Sequence, residues 1–249
     1  MARQRSAMVK VAVLGLLALV APVRADEAAA LKVVEQLNGN VRRDDKRPGK
    51  PVVAVFLMGP DVTDAVLKEL KEFKDVESLN LGAAKVTDAG LKELKPLKSL
   101  RELTLSETKI TDAGLKELKG LKNLQTLKLW ETKITDTGLK ELKAFPRLRS
   151  LDLGSSQVTD AGMKELKELN CLQTLNLSST QLTDAGLKEL KKLKTLQSLD
   201  INHTRVTDAG LKELQELKSL ETLNLNHTKV TEKGSAELQR ALPGLIVTP

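Results

Sequence analysis

A 24-residue period constrains this chain more than any other feature. The stretch from Leu100 to Leu124 reads LRELTLSETKITDAGLKELKGLKNL, and nearly everything after about residue 52 is a copy of it. Its Leu103-x-Leu105 pair returns as Leu79/Leu81, Leu127/Leu129, Leu151/Leu153, Leu175/Leu177, Leu199/Ile201 and Leu223/Leu225, with no insertion between copies. Self-similarity at constant spacing means that one small unit is stacked again and again, each copy covering the apolar face of the next. The chain is therefore expected to be a solenoid.

Each copy divides in the same way. Leu103 and Leu105 alternate with Glu102, Thr104 and Ser106, and that period of two predicts a short strand with its leucines inward. Strands from successive copies would line up in parallel about 4.8 Å apart. Thr108 and Ile110 turn the chain, and Thr111-Asp112 places two N-cap-type residues before a helix. Leu115 and Leu118 fall on the helix's buried face, whereas Lys116, Glu117 and Lys119 face water. The architecture is α/β, with a concave parallel sheet and short convex helices. Aromatic residues make up only 2% of the chain, so the core must be aliphatic. The single cysteine, Cys171, rules out an internal disulfide and leaves stacking to supply stability. It shares its column with Asp75, Ser99, Asn123, Arg147, Thr195 and Ser219, which predicts a partly exposed loop ahead of a strand.

The run Leu100-x-x-Leu103-x-Leu105-x-x-Thr108-x-Ile110 resembles the leucine-rich repeat, L-x-x-L-x-L-x-x-N/C-x-L. The Asn/Cys position is Thr at 108, 132, 180, 204 and 228, Ser at 156 and Ala at 84. A hydroxyl there can still bond loop backbone. The I/V-T-D-A-G-L-K-E-L segment is similar to the ribonuclease-inhibitor-like and cysteine-containing branch, and closely to secreted bacterial proteins built from TDAGLKEL repeats. The resemblance covers residues 52–249 and implies a leucine-rich-repeat horseshoe. It implies little about activity, because a fold does not set a function.

The ends differ from the repeats. Residues 1–25 read as a secretory signal: Arg3, Arg5 and Lys10 are a basic leader, Val11 to Val20 an apolar core too short to span a bilayer, and Val23-Arg24-Ala25 a small-residue cleavage site. The protein is then exported, to the periplasm, cell envelope or outside, and keeps no integral membrane segment after cleavage. Residues 26–51 are expected to cap the N-terminal end with a helix and a short strand. The repeats run over 52–231, and residues 232–249 form a C-terminal cap with a helix stopped by Pro243-Gly244 and a last strand near Leu245 to Val247. The formal charge is +7, but without the four bases of residues 1–25 only 36 basic side chains face 33 acidic ones. That excess is spread over the repeats. Nucleic-acid binding would need a basic stripe, so it is not expected.

Four constellations bear on chemistry. The first is the column Asp64, Asp88, Asp112, Asp136, Asp160, Asp184 and Asp208, where a negative charge suits a helix N-terminus and which lacks the clustered oxygens of a calcium loop. Lys109, Lys133 and Arg205 are expected to offset its repulsion. The glycine column Gly90, Gly114, Gly138, Gly162, Gly186, Gly210 and Gly234 points to close packing against the adjacent repeat rather than to a phosphate cradle, and no cofactor is implied. The second constellation is His203 and His227, the only histidines, stacked one repeat apart; a zinc site would need a third ligand. The third is the concave face, where exposed side chains vary while the leucines stay constant. The expected binding surface is Thr104, Lys128, Trp130, Glu131, Asp152 and Asn176, centred on the only tryptophan at the exposed end of a strand. Replacing it with alanine should then leave stability nearly unchanged. The fourth is the Lys/Glu lattice on the helices, which serves solubility. With no triad or paired-carboxylate motif, a non-catalytic protein is expected whose partner is a protein or an envelope polymer. A structural envelope component and a metal-dependent protein at His203/His227 are the alternatives, and the oligomeric state stays open.

Overall fold

The computed structural model describes residues 25–248. Of the expected export signal, residues 1–24 lie outside the described residues. A ten-stranded sheet runs in sequence order from one end to the other. At the start stand helix α1 (Ala25–Gln36), strand β1 (Asn40–Arg43) and strand β2 (Val52–Phe56). β1 pairs antiparallel with β2, and every later pair is parallel. The repeat strands are β3 (Ser78–Asn80), β4 (Glu102–Thr104), β5 (Thr126–Lys128), β6 (Ser150–Asp152), β7 (Thr174–Asn176), β8 (Ser198–Asp200) and β9 (Thr222–Asn224), closed by β10 (Ile246–Thr248). The register advances by one repeat at each step: Leu79, Leu103, Leu127, Leu151, Leu175, Leu199 and Leu223 stand side by side.

The convex side carries α2 (Asp64–Leu70), α3 (Asp112–Glu117), α4 (Asp136–Leu139), α5 (Asp160–Met163), α6 (Asp184–Leu190), α7 (Asp208–Leu214) and α8 (Glu232–Ala241). The Gly90–Leu94 segment is a 3-10 turn throughout, and α4 and α5 run on into 3-10 turns at Lys140–Ala144 and Lys164–Glu168. Packed helices need 8–10 Å between axes, while strands need about half that. The convex layer must therefore fan outward, which puts the sheet on the inside of the curve.

The core is a single aliphatic column between the two layers. In the type repeat Leu103, Leu105, Ile110, Leu115, Leu118, Leu121 and Leu124 are all at most 1% exposed. The only aromatic rings in it, Phe73 and Phe145, take the place of Leu121 in their own repeats. At the two ends Ala30 and Val34 of α1, and Leu238, Leu242 and Leu245, are buried against the outermost repeats. The hydroxyl at the Asn/Cys position bonds loop backbone just past its own strand, as expected. Thr108 Oγ1 donates to Leu105 O at 2.6 Å, and Thr132, Ser156, Thr180, Thr204 and Thr228 repeat the bond.

The aspartates open the convex helices, as expected, but they do more than favour a helix end. The cap itself is the threonine before it: Thr111 Oγ1 accepts from Ala113 N at 3.2 Å. The aspartate reaches across to the next repeat. Asp88 accepts from Thr111 N at 2.8 Å and from Thr111 Oγ1 at 2.6 Å. The same pair of bonds joins Asp64 to Thr87, Asp112 to Thr135, Asp136 to Thr159, Asp160 to Thr183, Asp184 to Thr207 and Asp208 to Thr231. From Thr111 onward each threonine hydroxyl thus spends its hydrogen on the preceding repeat and a lone pair on its own helix, whereas Thr87 makes only the bond to the preceding repeat. Lys109, Lys133 and Arg205 make no ion pair with these carboxylates among the described residues. The helix lysines and glutamates likewise pair between repeats, Lys95 with Glu117 at 2.7 Å and Lys194 with Glu216 at 2.9 Å, and at the surface such pairs contribute little.

The glycine column follows from this junction. A β-carbon at Gly114 would collide with Asp88 Oδ1, and one at Gly138 with Asp112 Oδ1. The first repeat has no aspartate beneath it, and there the position is Val66, packed against the core. For Gly138→Ala we expect a loss of about 1–3 kcal/mol from overpacking, although alanine is the better helix former by about 1 kcal/mol. Asp112→Ala should cost about 1.5–3 kcal/mol, since a charged acceptor of two bonds is lost. The double variant should lose less than the sum in urea unfolding, because removing the carboxylate makes room for the added methyl. Additive losses would refute the coupling.

Candidate functional site on the concave face

The sheet brings four of the expected binding residues into one row. Thr104, Lys128, Asp152 and Asn176 occupy paired positions on β4, β5, β6 and β7, followed by Asp200 and Asn224. Adjacent members are therefore separated by one strand spacing, about 4.8 Å. Lys128 is exposed and makes none of the ion pairs found among the described residues.

Most of this row has a structural duty that the sequence reading missed. Asp152 Oδ1 accepts from Gly154 N at 3.0 Å, and Asn176 Oδ1 from Ser178 N at 2.8 Å. Asn80, Asp200 and Asn224 make the same bond two residues onward. Asx side chains closing the turn after each strand are the familiar reason for Asn and Asp at such positions. Asn/Asp two residues ahead of the turn in most copies was the available signal. Asp200 is further held by Asn202 Nδ2 at 2.7 Å and by Asn224 Nδ2 at 3.1 Å. Thr104 and Lys128 interrupt the ladder. The amides of Ser106 and Trp130 receive no such acceptor, and neither donates a hydrogen bond among the described residues.

Trp130 lies just past β5, in the turn, and is half-buried rather than standing free at a strand end. Its Cδ1 lies 2.7 Å from where a β-carbon on Gly154 would be, so the indole leans onto the next repeat over a buried glycine. Met58 stands in the same relation to Gly82, its Cε 3.5 Å from the corresponding point. Glu131 does not share the strand face. Its backbone is left-handed, at φ 54°, and it belongs to a rim column with Ala83, Glu107, Ser155, Ser179, His203 and His227, all at positive φ. Glu131 N donates to Gly154 O at 2.9 Å, which holds that conformation, and its side chain is exposed.

Asp152 carries a perturbed carboxyl. Burial raises its pKa above the ordinary range, opposed by the Gly154 N–H and the Lys128 charge and reinforced by the charge of Asp200. The folded chain thus favours the protonated form. The benefit is present below the unfolded carboxyl range and is lost as pH rises through the folded pKa.

The two histidines stack on the rim, ring centroids 4.1 Å apart and 22° from parallel. Lone pairs in stacked rings run side by side and do not converge on one ion about 2.0–2.1 Å from each nitrogen. Among the described residues no group of three or more His, Cys, Asp or Glu is placed to hold a metal. Cys171 is exposed, in the loop ahead of β7, as its column suggested.

The family model described as the leucine-rich repeat region matches residues 55–246, from within β2 to the start of β10. No curated protein matches the chain. Among solved structures, internalin C2 from Listeria monocytogenes is similar, with a TM-score of 0.65, 24% identity, and coverage of 89% of this chain and 92% of that one. At that identity the likeness shows the fold alone.

Two stability measurements check the geometry. Asp152→Asn keeps an oxygen for Gly154 N–H but cannot ionise, so it should raise Tm at neutral pH by on the order of 2 °C. The gain should vanish below the carboxyl range. Trp130→Ala should cost about 1–2 kcal/mol, more than a free surface ring and less than the 3–5 kcal/mol of a fully buried one. A loss in that upper range would make Trp130 a core residue.

Proposed function

The chain belongs to the leucine-rich-repeat family, and from that premise we propose that it is an exported, non-catalytic protein that binds a protein or a cell-envelope polymer on its concave face. The observation that carries this reading is the contrast within one sheet. Inward leucines are invariant from β3 to β9 apart from Ile201, while the outward row departs from its turn-closing Asn and Asp at Thr104 on β4 and at Lys128 on β5, the strand before the turn that carries Trp130. The resemblance to secreted bacterial TDAGLKEL proteins, with the basic and apolar character of residues 1–25, supports export. No helix among the described residues is long and apolar enough to cross a membrane. We read residues 26–51 and 232–249 as caps over the terminal repeats.

A non-catalytic role is supported by where the reactive groups stand. His203 and His227 follow β8 and β9, whereas Cys171 precedes β7, so they occupy opposite flanks of the sheet. The Asp200 carboxylate is already held by asparagine amides on both oxygens.

The test is affinity capture from envelope and secreted material of the source cells, with Lys128→Ala/Trp130→Ala in parallel. A partner retained by wild type and lost by the folded double variant is the expected result. Equal capture by both would remove the site from this face and favour a structural envelope component. For export, the mature chain should begin at Asp26 by intact mass; retention of residues 1–25 in exported protein would contradict cleavage.

A further inference from the structure

Resting on the concave-face reading, we infer that the surface across β4 to β7 is a glycan-binding site, with the Trp130 indole as the stacking platform and the Ser106 and Trp130 amides, Thr104, Lys128 and Asn176 as its polar contacts. Four observations meet there. The Asx ladder that closes the turns at Asn80, Asp152, Asn176, Asp200 and Asn224 lapses at Thr104 and Lys128 only among the repeat strands β3 to β9. The lapse leaves two neighbouring backbone N–H donors, Ser106 and Trp130, with no acceptor among the described residues. Lys128, exposed and outside every ion pair found, adds a third donor beside them. And the indole leans over Gly154 toward the next strand instead of standing up from the sheet.

The chemistry separates a glycan from a folded protein partner. The outward positions across these strands are Thr104, Lys128, Asp152 and Asn176 in one column and Ser106, Trp130, Gly154 and Ser178 in the other. Only one of the eight is a large apolar side chain. The buried centre of a protein interface is about 65% apolar, which this patch cannot supply. A sugar ring asks for something else. Its C–H face packs on a single aromatic plane, and its hydroxyl and carbonyl oxygens take donors at the ring's edge. A carbohydrate chain laid across the strands would meet the donors of β4 and β5 and the amide of Asn176 on β7, while Asp152 accepts from its hydroxyls. A long anionic polymer is disfavoured, since Asp152 and Asp200 lie in the same row as the one lysine.

The chain reports on this site directly, because Trp130 is its only tryptophan and it has no tyrosine. The experiment presents the full chain to an array of neutral, N-acetylated and acidic oligosaccharides, then titrates the strongest soluble oligosaccharide while following tryptophan emission. Lys128→Ala and Trp130→Phe accompany Trp130→Ala, so that the outcome does not hang on one variant's folding, and circular dichroism checks each. Retention of an array glycan, a saturable change in emission, and a loss of affinity of roughly tenfold or more for Trp130→Ala with partial recovery in Trp130→Phe are expected. Silence of the whole array, or equal retention by folded Trp130→Ala and Lys128→Ala, overturns the inference. Array silence together with capture of a protein that needs Lys128 and Trp130 would sink the glycan and leave the concave-face function standing; loss of both would sink the two together.

Discussion

One carboxylate at each seam holds the register of the whole stack. The aspartate that begins each convex segment takes two hydrogen bonds from the threonine of the next repeat, and it fits only because a glycine lies over it. Hydrophobic burial supplies most of the driving force, but leucine contacts are non-directional and tolerate sliding. Charge-assisted bonds to one N–H and one hydroxyl do not. The ends show the logic. The first repeat keeps Asp64, which faces forward to Thr87, and carries Val66 where later copies need glycine. The repeat at residues 222–242 keeps Thr231 and Gly234, which face back to Asp208, and carries Glu232 in the aspartate's place. The Thr231 N–H, then its hydroxyl, holds the Asp208 carboxyl below its ordinary pKa, so this seam stabilises the fold above the unfolded carboxyl range and weakens as pH falls through the folded value.

With the seams carrying the register, the concave face is partly relieved of structural work. Five of its Asn and Asp side chains still close turns, and their freedom to serve a ligand is limited to the groups that the turn leaves over. The two strands that give up this bond, β4 and β5, are where the face offers open donors and its one tryptophan. A scaffold whose neighbours contact each other only through adjacent repeats can vary one strand's surface without disturbing the next, and Gly154 shows how such a change is accommodated: the repeat after Trp130 yields its own side chain to the ring.

The rim column carries a cost. Seven non-glycine residues, from Ala83 to His227 at intervals of one repeat, hold φ between 52° and 59°. Each left-handed residue costs on the order of 1 kcal/mol. In six of the seven, Ala83 to His203, a bond from the N–H to the next repeat's carbonyl offsets this, as in His203 N to Asn226 O at 2.9 Å, and so does the buried hydroxyl that follows in most copies. The stacked histidines are a by-product of that geometry: two identical backbone turns one repeat apart project their rings in the same direction.

The period, the inward leucines, the order of strand and helix and the aliphatic core were all legible in the chain, because they depend on spacing and on which side chains avoid water. So was the need for close packing at the glycines. What the packing was against was not legible, since Asp88 and Gly114 are 26 positions apart and meet only when repeats stack. The same holds for the turn-closing role of Asp152 and Asn176, the displacement of Glu131 to the rim and the burial of Trp130 over Gly154. A repeated sequence specifies what each unit looks like and that it must be covered. Which atoms of one unit reach the next is decided by the offset between layers, and that offset exists only in three dimensions.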